Sequence, residues 1–101
     1  MTATSRIVWS AAAVQDLTDI QAFIGRTSPR YASVAVQHLI DAVGRLEAFP
    51  ESGRMVPELA EPGVREVVHG NYRVVYELRD ERVEILTVFR ASRRFPTVET
   101  E

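Results

Sequence analysis

The residues best suited to chemistry lie in and just before the C-terminal third of the chain. Arg65, Arg73, Arg90, Arg93 and Arg94 punctuate the stretch VREVVHGNYRVVYELRDERVEILTVFRASRRF, residues 64 to 95, with His69 and the acids Glu58, Glu66 and Glu77 among or just before them. All 12 basic residues are arginine. A guanidinium stays protonated, so it forks a carboxylate or stabilises an anion but is a poor general base at neutral pH. General acid-base chemistry needs a group to take a proton, a group to give one and stabilisation of the charge that develops. The arginines supply only the last of these, which leaves Glu58, Glu66, Glu77 and His69 as candidate acids or bases.

Each of these residues also has a structural explanation. Arg73 pairs with Glu77 two positions along one strand face, or with an acid on a neighbouring strand. Arg90, Arg93 and Arg94 form either a solvated basic end or a partner contact. Glu58 serves to bind Arg54 or a backbone amide, His69 precedes a turn, and His38 sits in a helical stripe. Trp9, Tyr72 and Tyr76 read as core aromatics, each in need of one polar partner.

The elements that must position these groups follow from hydrophobic periodicity. Residues 64–69, 72–78 and 83–89 read as three consecutive strands turned at Gly70-Asn71 and between Arg79 and Arg82, an antiparallel meander. In the middle strand Tyr72, Val74, Tyr76 and Leu78 point one way and Arg73, Val75 and Glu77 the other. In the last, Ile85, Thr87 and Phe89 alternate with Leu86, Val88 and Arg90, so both faces are apolar, the strand belongs inside the sheet, and its second face needs a cover. A two-residue loop at Gly70-Asn71 puts Arg65 and His69 on the face of Tyr72, unless a bulge intervenes.

Upstream, Arg6 to Trp9 suits a first strand, with Ser10 as N-cap of a helix starting near Ala11 and ending at Gly25 or Thr27. Its stripe is Val14, Leu17, Ile20 and Ile24, with Gln15, Asp16, Asp19 and Gln21 on the wet side. Ser28 and Pro29 open a second helix to about Phe49, with Tyr31, Val34, Ala35, His38, Leu39, Ala42, Val43, Leu46 and Phe49 as its stripe. So short a connection implies a helical hairpin. The Pro- and Gly-rich segment 50–63 is a loop. The expected fold is α+β: an N-terminal strand, a helical hairpin and a three-strand antiparallel meander, with the helices on one face of the sheet.

Length and composition frame this. A chain of 101 residues with 46% hydrophobic content suits one compact domain, residues 1–101, with residues 1–5 and 96–101 read as frayed tails. The absence of cysteine removes disulfides, thiolate metal sites and a cysteine nucleophile, and two histidines do not build a metal site, so no metal or cofactor is expected. No stretch is long enough to span a bilayer and the N-terminus lacks a signal-like pattern, so a cytoplasmic protein is expected. A net charge of −2 leans against a nucleic acid grip, which calls for a basic excess.

The order of elements carries a resemblance. Trp9-Ser10, Ala13, Asp16-Leu17 and Ile20 at the start, Pro50, Gly53-Arg54, Val56 and Pro57-Glu58-Leu59 in the loop, then Arg65-Glu66, Tyr72-Arg73-Val74-Val75-Tyr76, Ile85-Leu86 and Arg93-Arg94 together resemble the RelE/ParE superfamily of type II toxin-antitoxin toxins. The match spans nearly the whole chain, and its strength lies in order and spacing. One branch of that superfamily is implied to be a ribosome-dependent mRNA endoribonuclease that uses basic groups on the first meander strand, the arginine of the Tyr-Arg motif, an arginine after the last strand and often a terminal tyrosine or histidine. Arg73 and Arg93 match two of these; Arg65 is the sole basic residue on the first meander strand, and no Tyr or His follows Tyr76.

The ParE-like branch is implied to inhibit DNA gyrase by binding it, without a catalytic constellation. The missing lysines, the missing terminal acid and the acidic balance fit that branch better. On this reading Arg73, Arg90, Arg93 and Arg94 meet the target, whereas a nuclease would rely on Arg73, Arg93, Arg65 and Glu58 acting on ribosome-bound mRNA. The resemblance also implies a cognate antitoxin, bound as a hetero-oligomer, whose disordered C-terminal part folds along the toxin. Leu86 and Val88, with the helical hairpin, are the expected antitoxin surface. A non-toxic protein-interaction module is the remaining alternative.

Overall fold

In the computed structural model, which describes residues 5–96, the elements run β1 (Arg6–Trp9), α1 (Ala11–Gly25), α2 (Pro29–Gly44) with a 3-10 turn Arg45–Glu47, β2 (Arg54–Met55), β3 (Val64–His69), β4 (Tyr72–Arg79) and β5 (Arg82–Arg90). The strands form one sheet in the order β1-β5-β4-β3-β2, with β1 parallel to β5 and every other pairing antiparallel. The α+β class, the meander and the helical hairpin on one face stand as expected. β5 lies inside the sheet, between β1 and β4. The short strand β2 departs from expectation: part of the segment taken as loop pairs with β3 through Arg54↔Glu66 and Met55↔Arg65. The tails expected at residues 1–5 and 96–101 fall largely outside the described residues, and Ser5 is tied by its N–H to the Glu47 carbonyl at 2.9 Å.

Both helices begin as their capping residues dictate. The Ser10 hydroxyl accepts from the Ala13 N–H at 3.0 Å, and Ser28 does the same for Tyr31 at 3.2 Å with Pro29 in the first turn. The second helix stops at Gly44 rather than near Phe49, and the 3-10 turn carries Leu46 into the core. The stripes are narrower than periodicity implied. In α1 the buried residue is Ala13, with Leu17 and Ile20 packed beside it, while Val14 is half exposed. In α2 Leu39, Ala42 and Val43 are buried, while Tyr31, Val34 and His38 face outward and Phe49 beyond it is exposed. A hairpin crossing a twisted sheet buries only what the sheet reaches.

The helix-side core joins Ala13, Leu39, Val43 and Leu46 to Val74, Tyr76, Val83, Ile85 and Val88. A smaller cluster on the opposite face contains Val56, Val64, Val75 and Phe89, with Leu59, Leu86 and Phe95 packed against it. The loop and the segment after β5 therefore provide the cover that the second face required. Burying the strands from both sides removes most of their apolar surface from water.

A register shift between Val75 and Tyr76 opposite β5 decides the faces of the last strand. Val75 pairs with Thr87 and Tyr76 with Ile85, so Leu86 is the extra residue of a β-bulge. The bulge breaks the alternation and sends Leu86 and Val88 to opposite sides. Its backbone is held by α1 and its cap: Ser10 Oγ donates to the Leu86 carbonyl at 3.1 Å, and Asp16 Oδ2 accepts from the Val88 N–H at 2.9 Å and from Thr87 Oγ1 at 2.7 Å. Asp16, placed on the wet side by periodicity, instead clamps helix to sheet.

Candidate functional site

The first hairpin closes with a two-residue loop and no bulge, since His69 pairs with Tyr72, Val67 with Val74 and Arg65 with Tyr76. Gly70 supplies the positive φ of that loop, +58°. Arg65 and His69 therefore share the helix-side face of Tyr72, while Arg73 and Glu66 point to the other. Arg65 is spent on structure: its Nη1 donates to the carbonyls of Gly53 at 2.9 Å and Glu51 at 3.3 Å. His69 lies edge-on to exposed His38, ring centres 6.2 Å apart. The Tyr76 hydroxyl donates to the Pro50 carbonyl at 2.8 Å and accepts from the Gly53 N–H at 2.9 Å, and burial raises its pKa.

On the opposite face, Arg73 is the centre of a four-residue charge network. Its Nε donates to Glu66 at 2.5 Å, and Nη1 and Nη2 fork Glu58 at 2.8 and 2.7 Å. Glu66 also accepts from Arg54 Nε at 2.6 Å, so two arginines meet two carboxylates. The Arg73 side chain is 9% exposed and that of Glu66 0%. Phe89 and Phe95 pack edge to face, ring centres 5.5 Å apart, and the guanidinium lies against both, its carbon 5.2 and 5.3 Å from their centres. Of the pairings expected, Arg73 takes the acid on a neighbouring strand, Glu66 of β3, and not Glu77, which accepts from Arg79 at 3.2 Å, while Glu58 takes Arg73 rather than Arg54.

This network has electrostatic consequences. Forked hydrogen bonding to Arg73 holds the Glu58 carboxyl at a pKa of about 2, against an ordinary 4.5. The same bonds to Glu58 and then Glu66 raise the Arg73 pKa further. A carboxylate so acidic is a weak base at neutral pH. Of the proposed nuclease set, Arg73 and Glu58 neutralise each other, Arg65 lies on the other face of the sheet, and Arg93 sits in an exposed turn closed by its N–H to the Arg90 carbonyl at 3.0 Å. Arg73 is likewise withdrawn from the target-binding set. Val88, 3% exposed, is sealed within the helix-side core, and half-buried Leu86 packs in the cluster on the other face, so the two form no common antitoxin surface.

Of the four arginines expected to meet a target, Arg90, Arg93 and Arg94 reach solvent, as do Arg6, Arg26, Arg30, Arg45 and Arg54 elsewhere. Arg90 and Arg93 border a groove where the turn between α1 and α2 faces the start of β4 and the end of β5. Two depressions of 590 and 500 Å³ share Phe23, Tyr72 and Arg90; the first adds Arg26 and Tyr31, the second Asp19, Ile20 and Arg93. Phe23 and Arg26 escaped sequence reasoning because they fall off the helical stripe. The signal present was a large aromatic beside the helix end with no stripe to join. Among the described residues no group of three or more His, Cys, Asp or Glu side chains is placed to hold a metal ion, and no helix is long and apolar enough to cross a membrane.

Comparison with known proteins adds to this geometry. A family model described as ParE toxin of type II toxin-antitoxin system, parDE, matches residues 7–95. Toxin RelE2 of Caulobacter vibrioides is 36% identical over 90 residues, covering 88% of this chain and 98% of that protein. Putative toxin Y4kP of Sinorhizobium fredii is 35% identical over 98 residues, covering 92% and 95%. Among solved structures, a chain of the chromosomal ParDE system from P. aeruginosa superposes with a TM-score of 0.72 at 23% identity, covering 88% of this chain and 98% of that one. A chain of the RelBE2 toxin-antitoxin complex from Mycobacterium tuberculosis gives 0.60 at 24% identity, covering 89% and 94%. At these identities the structural likeness is one of fold.

Proposed function

The chain belongs to the ParE toxin family and is a type II toxin-antitoxin toxin of the RelE/ParE superfamily, and from that premise we propose that it arrests growth by binding a protein target such as DNA gyrase, in the cytoplasm, and is neutralised by a cognate antitoxin. The state of Arg73 carries the choice of branch. A phosphorane-stabilising guanidinium must present free N–H groups to the reacting phosphate. Here three of the five N–H groups, on Nε, Nη1 and Nη2, donate to carboxylates within the chain, and the side chain lies against Phe89 and Phe95 with only 9% of it exposed.

The acid-base inventory supports the same reading. Glu66 is buried between Arg54 and Arg73, Glu58 is held ionised, and His69 lies across the sheet from Arg73. What remains for recognition is the exposed trio Arg90, Arg93 and Arg94, suited to forking carboxylates of a partner protein. The test is induction of the chain in bacteria without its antitoxin, together with a supercoiling assay using purified gyrase. Filamentation with a DNA-damage response and blocked supercoiling are expected. Translation arrest with fragmented mRNA would replace gyrase by the ribosome and its mRNA as target, and unimpaired growth would leave a non-toxic interaction module.

A further inference from the structure

At the end of the sheet opposite the groove of Arg90 and Arg93, three arginines stand side by side. Arg79 closes β4, Arg82 opens β5 and Arg6 opens β1, and the register pairs Arg79 with Arg82 and Arg82 with Arg6. Residues paired directly across strands share a face, so the three form one row on the face of Arg73 and Glu77, away from the helices. A two-residue turn, Asp80-Glu81, joins β4 to β5 with Asp80 at a φ of +51°, and the Arg6 N–H donates to the Glu81 carbonyl at 3.0 Å. Like charges directly opposite one another destabilise a sheet, so the row calls for negative charge beside it.

The acids of the chain meet that demand in part. Glu77 accepts from Arg79 Nε at 3.2 Å, and Glu84 lies 3.5 Å from Arg82 Nη2. Among the described residues Arg6 forms no ion pair with an acid, and Arg82 Nε is buried without a hydrogen-bond partner. A buried donor on a charged group is costly to leave without an acceptor. The row borders a depression of 360 Å³ lined by Arg6, Arg79, Asp80, Glu81 and Arg82, three arginines against two acids in a chain whose net charge is −2.

We propose that this depression binds a small diphosphate anion, whose oxygens accept from Arg82 Nε and from Arg6 while Arg79 adds its charge. Adjacent strands lie about 4.8 Å apart, so the row is about 10 Å long; one phosphoryl group meets its middle and one neighbour, and two linked groups span it. A phosphoryl group brings a charge of about −1.5 to −2 and three acceptor oxygens, which outweighs the rim acids as a single carboxylate does not. An extended polyanion suits the site less, because Asp80, Glu81 and the net charge of the chain repel the rest of the polymer. Free diphosphate and the diphosphate group of a nucleotide share this chemistry.

The test is calorimetric titration of the full chain with sodium diphosphate, with a nucleoside diphosphate and with succinate, at an ionic strength fixed with sodium chloride, alongside the thermal midpoint. Saturable binding of diphosphate is expected, with a rise in midpoint that chloride does not give. Tighter binding of the nucleoside diphosphate would make the nucleotide the source, tighter binding of diphosphate the free anion, and either supports the site. Arg82→Gln and Arg6→Gln should each weaken binding by about tenfold or more. Arg6 is exposed, so its variant reads the site even where Arg82→Gln loosens the fold. Asp80→Asn removes a rim charge, keeps a residue that tolerates positive φ and should tighten binding. Arg30→Gln removes one positive charge in the first turn of α2, at the other end of the sheet, and should leave binding unchanged. No saturable binding, equal binding of succinate, an equal loss in Arg30→Gln, or tighter binding at the same residues of a single-stranded oligonucleotide without a terminal phosphate would overturn the proposal. Growth inhibition enters none of these readouts, so failure of the site leaves the toxin reading untouched.

Discussion

Arg73 holds a full charge where water scarcely reaches it, and its two carboxylates and two aromatic rings are the reason it can do so. Removing one partner of such a network leaves the others as uncompensated buried charge. Arg73→Ala leaves fully buried Glu66 with Arg54 as its one charged partner and is expected to cost about 3 kcal/mol by chemical denaturation. Arg73→Met paired with Glu66→Leu, which removes charge on both sides, should recover part of that loss. An alanine scan that read loss of toxicity at Arg73 as loss of a contact would therefore be measuring unfolding. Glu58 adds a pH signature. Its folded pKa of about 2 lies below its ordinary 4.5, so its stabilisation is complete above about 4.5 and is lost as pH falls toward 2. Because its side chain is 42% exposed, solvent screening keeps the contribution small. The expected outcome is that Glu58→Gln flattens the acid limb of the stability–pH curve while lowering stability slightly at neutral pH.

At the scale of elements, two contacts set how helices and loop meet the sheet. The bulge at Leu86 frees a carbonyl and an N–H, and Ser10 and Asp16 satisfy them. Asp16→Ala leaves the Val88 N–H unpartnered in a partly buried setting and should cost about 1–3 kcal/mol in equilibrium unfolding. Asp16→Asn retains an acceptor and should cost less. Gly53 lets the loop approach β3 and β4: a Cβ there would lie 2.5 Å from the Tyr76 hydroxyl and 2.7 Å from the Glu66 carbonyl oxygen. Gly53→Ala is expected to destabilise by about 1–3 kcal/mol or more, through overpacking. Tyr76→Phe should relieve only part of it, because the backbone oxygen remains.

Across the whole molecule, the residues that hold the fold and those free to meet a partner are segregated. The charge network and both clusters stabilise the body, while exposed arginines and aromatics gather where the α1–α2 turn faces the start of β4, the end of β5 and the segment after it. Substitutions there are expected to separate function from stability. Arg93→Glu should shift the thermal midpoint by no more than surface substitutions usually do, within about 0.5 kcal/mol, while reducing growth inhibition on induction. A large fall in midpoint with unchanged toxicity would contradict this segregation.

Much of the architecture was legible in local signals. Ser10, Ser28 and Pro29 announce the helix starts because capping is a short-range hydrogen-bond problem, and alternation in Tyr72–Leu78 announces its two faces because the strand period is short. The two-residue loop at Gly70-Asn71 set the register of the first hairpin for the same reason. The motif order from Trp9-Ser10 to Arg93-Arg94 also revealed the superfamily. Tertiary structure alone decided where the bulge falls in β5, and with it that Val88 is buried and Leu86 lies across the sheet from it. It alone paired Arg73 with Glu58 and Glu66 instead of Glu77, turned Asp16 inward and brought Phe23 between Arg26 and Arg90. The physical reason is common to all of these. Each depends on which distant groups share a low-dielectric site or one surface groove, and composition and spacing along one chain do not encode that proximity.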